Sequence, residues 1–490
     1  MKKSIISVAI ALAFVPALAS AASPLNALEK LWTYDHSNTG VLGQSSEIVA
    51  FDKVTNSLWV AGVAGVDVLN ASNGSLIQHI NTSIYGSINS VTIHNGLAAF
   101  AIENTTDRTQ PGVVKLFDTS SRSLASGVNS INVGALPDML TFSHDGSKLL
   151  VANEGTPTNY KGYDPVGSVS IIDMGSRSVS ATVNFNSAPT FGSDLRPKSI
   201  AGMDFEPEYI AISKDGTKAF VSLQEANGLG VINLTTNEAE KVIGLGSKDF
   251  SAPGNEIDPS DRDGRIELRP VAARGLYQPD GIAAYEANGQ TYIVLANEGD
   301  TREDEADKGR LGGSSDASRL NIAKPDTTPG DVVTFGARSF SIRDQNGNLI
   351  FDSGNDLDAR AIALGLYDDG RSDDKGVEPE GVELLEINGR TIAFIGLERT
   401  LKSAVAVYDI TDPTKVSFID MLVTDGDLAP EGMKGFFHDG HYNLSIANEG
   451  THTTTLYRLA IAAVPEPETY GMLLAGLGVL GFAARRRQRG

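Results

Sequence analysis

The chain has 490 residues, with 40 Lys and Arg against 61 Asp and Glu, a formal net charge of −21, no Cys, 51 Gly and 20 Pro. Such acidity lacks the electrostatic footprint of a nucleic-acid binder, and the missing Cys excludes disulfide scaffolds, Cys-ligated zinc, iron–sulfur clusters and thiol nucleophiles. At 41% hydrophobic and 21% charged residues the composition is globular, and the Gly content favours many turns between short strands.

Residues 1–22 read as a secretory signal peptide. Lys2 and Lys3 precede an apolar run from Ile5 to Ala19, and Ala17-Leu18-Ala19 and Ala19-Ser20-Ala21 are small-x-small cleavage sites. From residue 28 to 461 one unit recurs. A degenerate copy runs from Glu47 through Asn56 to Gly62, and a weaker one has Asn95-Gly96 and Glu103. Fuller copies pair Pro137-Asp138 with Asn153-Glu154-Gly155, Pro207-Glu208 with Gln224-Glu225, and Pro279-Asp280-Gly281 with Asn297-Glu298-Gly299. The last two pair Pro379-Glu380-Gly381 with Leu397-Glu398, and Pro430-Glu431-Gly432 with Asn448-Glu449-Gly450. Between the two halves of each fuller copy lies an Asp-Gly or Asn-Gly dipeptide where the sequence allows one, the signal of a two-residue hairpin turn.

Third strands follow, as in Gly167–Asp173, Leu229–Leu234 and Ala404–Ile410, and a fourth fits after each. Seven copies predict an all-β fold, a seven-bladed β-propeller with YVTN/WD40-like repeats. An eighth blade built on a hairpin of Ala337–Ile342 and Leu349–Asp352 is the alternative count. A pair of β-sandwiches is disfavoured, because sandwiches do not repeat one hairpin sequence. Glu238–Gln278, Asp300–Asp331 and Asp344–Val377 are polar, Gly- and Asp-rich insertions read as loops.

Residues 464–490 carry a second address. Val464-Pro465-Glu466-Pro467-Glu468 precedes the uncharged Thr469–Ala484, expected to form a single hydrophobic helix, and Arg485-Arg486-Arg487-Gln488-Arg489 closes it. The span is short for a bilayer, but snorkelling Arg side chains extend it, and Arg stays cytoplasmic. A permanent anchor is the plain reading. The tail resembles the PEP-CTERM sorting signal through Pro465, Glu466, Pro467, Arg485, Arg486 and Arg487. The resemblance implies recognition by an exosortase at the inner membrane, a transient membrane span through 469–484, cleavage near Pro-Glu-Pro, and delivery to the outer surface or extracellular matrix of a Gram-negative cell. Without Lys2, Lys3 and the four terminal Arg, 34 cations face 61 anions, a net charge of −27.

In each fuller copy the two acids are about equidistant from the turn, which places them side by side at the open end of the hairpin. Glu47, Asp138, Glu208, Asp280, Glu380 and Glu431 are therefore expected around the mouth of the central channel. Glu103, Glu154, Glu225, Glu298, Glu398 and Glu449 form a second ring outside it. Crowded carboxylates raise one another's pKa and call for cations. Ca2+ or another divalent ion suits oxygen ligands, with Glu208, Glu225, Asp280, Glu298, Asp300, Glu380, Glu398, Glu431, Glu449, Asp138 and Glu154 as candidate ligands. Arg371, Lys375, Arg302 and Arg399 are candidate phosphate- or ligand-facing cations, and Arg196, Lys198 and Arg274 lie in or beside the same loops. The structural alternative is that each Glu accepts backbone N–H bonds and locks neighbouring blades. Asp258–Glu267 has calcium-loop spacing only in part, and the polar loop Asp368–Gly376 leads straight into Glu378-Pro379-Glu380. The seven His are scattered, and no nucleophile motif occurs.

Three stretches carry a wider resemblance: Pro207-Glu208-Tyr209-Ile210 with Leu223–Asn227, Tyr277–Ala283 with Leu295–Asp300, and Arg371–Gly376 with Glu378–Gly381 and Gly396–Arg399. They resemble the choice-of-anchor I family over residues 28–461. That resemblance implies a propeller body joined to one of several C-terminal anchors, and some relatives bear an alkaline phosphatase label. Gly62, Val63 and Asn89 depart from the acid pattern in the first two copies. Three functions follow as expectations: a surface-delivered binding or matrix-associated protein with divalent cations on its acidic face, in contact with polysaccharide or a surface protein; a metal-dependent phosphoesterase on that face; or a ligand-free scaffold.

Overall fold

The computed structural model describes residues 25–159, 162–196, 205–302 and 305–461. The predicted signal peptide 1–22, the sorting segment 464–490 with its hydrophobic helix, and Lys198 lie outside the described residues. Among the described residues there are eight β-sheets and one α-helix, Asp356–Ala363, and no helix is long and apolar enough to cross a membrane.

Seven sheets follow the repeat, within the compact unit Ala27–Ala460. The first strand of each, in chain order, is Ile48–Asp52, Ile88–His94, Pro137–Phe142, Ile210–Ile212, Ile282–Ala287, Pro379–Ile387 and Pro430–His438. Each pairs antiparallel with the strand that follows it, two further strands complete a row of four, and the second and fourth sheets add a fifth strand, Ser123–Leu124 and Thr190–Ser193. The third sheet is typical: Pro137–Phe142, Lys148–Asn153, Ser168–Asp173 and Ser178–Val183 in that order. The seventh takes its outer strand from Leu25–Asp35, so the described start of the chain completes the sheet that ends it. Each first strand contacts that of the next sheet, and the seventh contacts the first. Together they line an axial cavity of about 390 Å³.

This arrangement explains the hydrophobic pattern. Second and third strands lie between two neighbouring sheets and are apolar on both faces; Leu149 to Ala152 and Val169 to Ile172 are almost wholly buried. Outer strands alternate instead, as Ser178–Val183 does. The core is a series of layers between sheets. Trp59 and Phe100 pack across one such layer, and Phe340 and Tyr408 across another. Asn95-Gly96, Asn288-Gly289, Asn388-Gly389 and Asp439-Gly440 all have positive φ at both residues, as their turns require. Asp145-Gly146 and Asp215-Gly216 differ. Only the Gly is left-handed, and each Asp carboxylate accepts from the Ser hydroxyl two residues before it, at 2.7 and 2.6 Å.

The insertions are not simple loops. Glu238–Leu245 is one strand of the fourth sheet, and Ser247–Asp249, Arg274–Leu276, Val333–Thr334, Asn321–Ala323 and Lys308–Arg310 make the eighth sheet. Arg196, buried, pins this insertion through Asp307 and Asp326, and Arg274 bridges Asp194 and Asp331 at 2.9 and 2.8 Å. The hairpin considered for an extra blade forms, as Ser339–Asp344 with Leu349–Asp352, but it supplies the outer half of the fifth sheet. At the closure, His36 Nδ1 lies 2.6 Å from Asp67 and its Nε2 lies 2.8 Å from Thr454 Oγ1, joining the turn after Leu25–Asp35 to the first sheet and the last.

The Gly of the Pro-acid-Gly motif has a steric cause. The N–H of Gly281 donates to the carbonyl of Glu380 at 3.2 Å, and that of Gly432 to the carbonyl of Glu47 at 2.9 Å. A Cβ at Gly281, Gly381 or Gly432 would overlap the carbonyl oxygen of the next sheet's first acid. Gly381→Ala should therefore destabilise the protein by about 1–3 kcal/mol. Gly175→Ala, where the added carbon meets only an ordinary contact with Asp173, should stay within about 0.5 kcal/mol. Thermal melts of the two variants check this contrast.

Candidate functional site

The acids are delivered by a recurring backbone device. Leu136, Gln278, Glu378 and Ala429 each stand two residues before the first acid and directly before Pro, and each has φ between 40 and 53°. Such left-handed backbone costs a non-Gly residue about 1–3 kcal/mol and needs its surroundings to hold it. The second acid helps to do so. The N–H of Glu154, Glu398 and Glu449 donates to the carbonyl of Leu136, Glu378 and Ala429, each at 2.9 Å. Gly299 replaces Glu298 in the corresponding bond to Gln278, at 3.0 Å. Both carboxylates of a hairpin are thus fixed at its open end.

The result is an open cleft of about 640 Å³ lined by eleven carboxylates and four cationic side chains. Asp138, Glu154, Glu208, Glu225, Asp280, Glu298, Asp300, Glu380 and Glu398 are among the predicted acids that line it. Glu431 joins Asp138, Asp280 and Glu380 around a space of about 60 Å³ at the channel mouth, with Tyr209 at its base. Glu103 lies in an adjoining depression with Asp138, Glu154 and Arg108. Glu449 is exposed on the turn Glu449–Thr451 and does not line the cleft. Glu47 is held by the Ser45 hydroxyl at 2.8 Å.

Cations serve one part of this face. Lys375 Nζ lies 2.7 Å from Glu298, 3.0 Å from Glu378 and 3.4 Å from Asp300. Arg371 donates to Glu378 at 2.6 Å and to Asp374 at 2.9 Å, and Arg399 lies 2.6 Å from Glu398. Burial disfavours the Lys375 charge, yet Glu298, Glu378 and Asp300 outweigh it and hold its pKa well above the usual lysine value. Arg302 does not share this role; it is buried against Glu206 at 3.2 Å and does not line the cleft.

The other acids lack such partners. One oxygen of each of Glu208, Glu225, Glu380 and Glu431 is buried with no hydrogen-bond partner. Burial, reinforced by neighbouring carboxylates, pushes Glu208, Asp280, Glu380 and Glu431 far above the usual carboxylate range. The same causes raise Glu225 and Glu398 to about 8 and Asp138 to about 7, and burial raises Glu47 to about 7. Backbone bonds to the carbonyls of Glu380 and Glu47 tie neighbouring sheets here, and the unpartnered carboxylate oxygens take no part in them.

Two trios each offer oxygens within 4.8 Å of one another: Asp280, Glu298 and Glu380, and Glu298, Glu378 and Glu398. Glu378 is absent from the sequence-based ligand set, although its place directly before Pro379-Glu380 marks it. The polar inserts pair within the insertion. Asp258 accepts N–H bonds from Ser260 and Glu267 at 3.3 and 3.2 Å, and Asp373 pairs with Arg310 and Arg319 at 2.6 and 2.8 Å. Lys375→Met should leave Glu298 and Glu378 without their shared cation. Arg371 stays on Glu378, whose pKa burial raises, so the loss of stability should grow as pH rises, toward the ~3–5 kcal/mol of a broken buried pair. Denaturant unfolding at pH 5 and pH 8 tests this.

The chain matches the model of the choice-of-anchor I domain over residues 47–328 and 310–413, and that of the PEP-CTERM protein-sorting motif over 463–487. No curated protein matches it. Among solved structures, Kuenenia stuttgartiensis hydrazine synthase is similar with a TM-score of 0.52 at 12% identity, over 86% of this chain and 97% of that one. A chain of a mitotic checkpoint complex aligns with a TM-score of 0.49 at 10% identity, over 94% and 100% of the two chains. At these identities the first likeness concerns the fold alone, and the second carries no argument.

Proposed function

The chain belongs to the choice-of-anchor I family, and from that premise we propose that it is a seven-bladed β-propeller acting as a surface-delivered binding protein through divalent cations on its acidic face. The PEP-CTERM motif marks an exported protein handled by exosortase-type sorting machinery. The finer destination, the outer surface or matrix of a Gram-negative cell after removal of a signal peptide, belongs to the proposal. The blade count is supported by seven first strands in cyclic contact around one axial cavity, with the eighth sheet as an insertion.

The observation that carries the cation reading is the trio Asp280, Glu298 and Glu380 at the channel mouth. It supplies only oxygen donors, which suit a hard ion such as Ca2+. Among the described residues Asp280 and Glu380 have no ion-pair partner, and a divalent ion would replace the protons that burial favours on them. The metal-dependent phosphoesterase draws less support, since Arg371 and Lys375, its substrate-facing cations, commit their donors to Glu378, Asp374 and Glu298.

The raised pKa values give the test a direction. Acids whose folded pKa exceeds the unfolded value stabilise the cation-free fold at low pH, and this contribution is lost as pH rises through about 7 to 8. Calcium should therefore raise Tm more at pH 8 than at pH 5. At one hundred times Kd the gain is about 2.7 kcal/mol. Asp280→Asn with Glu380→Gln should remove it, and no turnover of a generic phosphoester should appear with or without calcium. A Tm indifferent to calcium and chelator at pH 8 contradicts the cation reading, and calcium-dependent turnover favours the esterase.

A further inference from the structure

The metal trio uses only part of the cleft. Glu208 and Glu225 also line it, each 8% exposed and each with Oε2 buried and unpartnered. Among the described residues no Lys or Arg forms an ion pair with either. Neither belongs to a carboxylate trio close enough to share one ion. A volume of about 640 Å³ is also far more than a single ion needs, given about 30 Å³ for a water molecule. This side of the cleft thus has room and unpartnered carboxyl oxygens that a cation could hold in their ionised form, but not the convergence of a compact metal site.

The same face already shows what such acceptors can hold. An alkylammonium group carries three donors and no acceptor, and Lys375 directs its own toward Glu298, Glu378 and Asp300. Glu225 occupies in its hairpin the place that Glu298 occupies in the next, and no lysine of the described chain reaches it.

We infer that the Glu208–Glu225 side of the cleft receives the primary ammonium groups of an external ligand, an aliphatic polyamine or an oligomer of amino sugars, as the Glu298–Glu378 side receives Lys375. The inference rests on the proposed reading only in treating the face as a cation site; it does not need the metal. Several amines on one ligand would meet Glu208, Glu225, Glu154 and Asp138 at separate points, which fits carboxylates that do not converge.

The test is calorimetric titration of the full-length protein, at about 0.15 M salt to screen diffuse attraction, with spermidine, a glucosamine tetramer and its fully N-acetylated counterpart. At least one amine should bind, and the acetylated tetramer should not. Glu208→Gln with Glu225→Gln should weaken amine binding by about 10-fold or more, as loss of charge-assisted hydrogen bonds implies, while the calcium-induced Tm rise persists. Both acids carry raised pKa values, so the amides resemble the protonated side chains and the variant should fold. Tighter binding of the tetramer assigns a polymeric amine, and tighter binding of spermidine a free polyamine. Absence of amine binding overturns the inference, as does equal binding of the acetylated tetramer. Amine binding unchanged in the variant also overturns it, by reducing it to attraction by net charge. Amine binding without calcium binding leaves this inference standing and removes the metal reading; the reverse result removes this one alone.

Discussion

The close approach of neighbouring backbones at Gly281, Gly381 and Gly432 is the constraint on which the acidic face depends. At each, the carbonyl of the next sheet's first acid occupies the place a Cβ would take. Adjacent inner strands are therefore locked together between the Gly of one sheet and the first acid of the next, which is Glu380, Glu431 or Glu47. The left-handed residues before Pro and the N–H bonds they accept from the second acids fix the other edge. Carboxylates set on so rigid a frame cannot relax apart, so their repulsion has to be relieved by protons or cations.

The protein uses both answers, in different places. Around Glu298, Glu378 and Glu398, Lys375, Arg371 and Arg399 supply the positive charge from within the chain. Among the described residues no Lys or Arg pairs with Glu208, Asp280, Glu380 or Glu431, and burial with mutual repulsion drives the carboxyls toward their protonated forms. A cluster that served stability alone would gain from paired or apolar side chains in these positions. Retaining unpaired acids in an accessible cleft is what a site for external cations requires. Lys375 reaches Glu298, which both carboxylate trios share, and so sets the charge at their junction.

Much of this was legible in the chain because the repeat is explicit. Asn388-Gly389 announces its hairpin, and the equal distances of Glu380 and Glu398 from that turn place the two acids side by side. The inserted sheet was not legible. Its strands are two or three residues long, as in Val333–Thr334, too short for any periodicity to register, and buried pairs such as Arg196 with Asp307 hold it instead. Leu349–Asp352 was visible as a strand, but only three-dimensional neighbours decide that it completes the fifth sheet. Glu378 stands in a legible stretch, but its place in a carboxylate trio comes from a positive φ before proline, where local preference points to extended backbone. His36 and Asp67 meet through ring closure, across a sequence separation that no motif spans.

The most direct measurement is an anomalous difference map from crystals of the protein soaked in Mn2+ as a stand-in for a hard divalent ion. A peak coordinated by Asp280, Glu298 and Glu380 at the channel mouth, absent in Asp280→Asn with Glu380→Gln, is the predicted result. A map with no peak among these three side chains in crystals grown near pH 8, where protons compete least, would contradict the account.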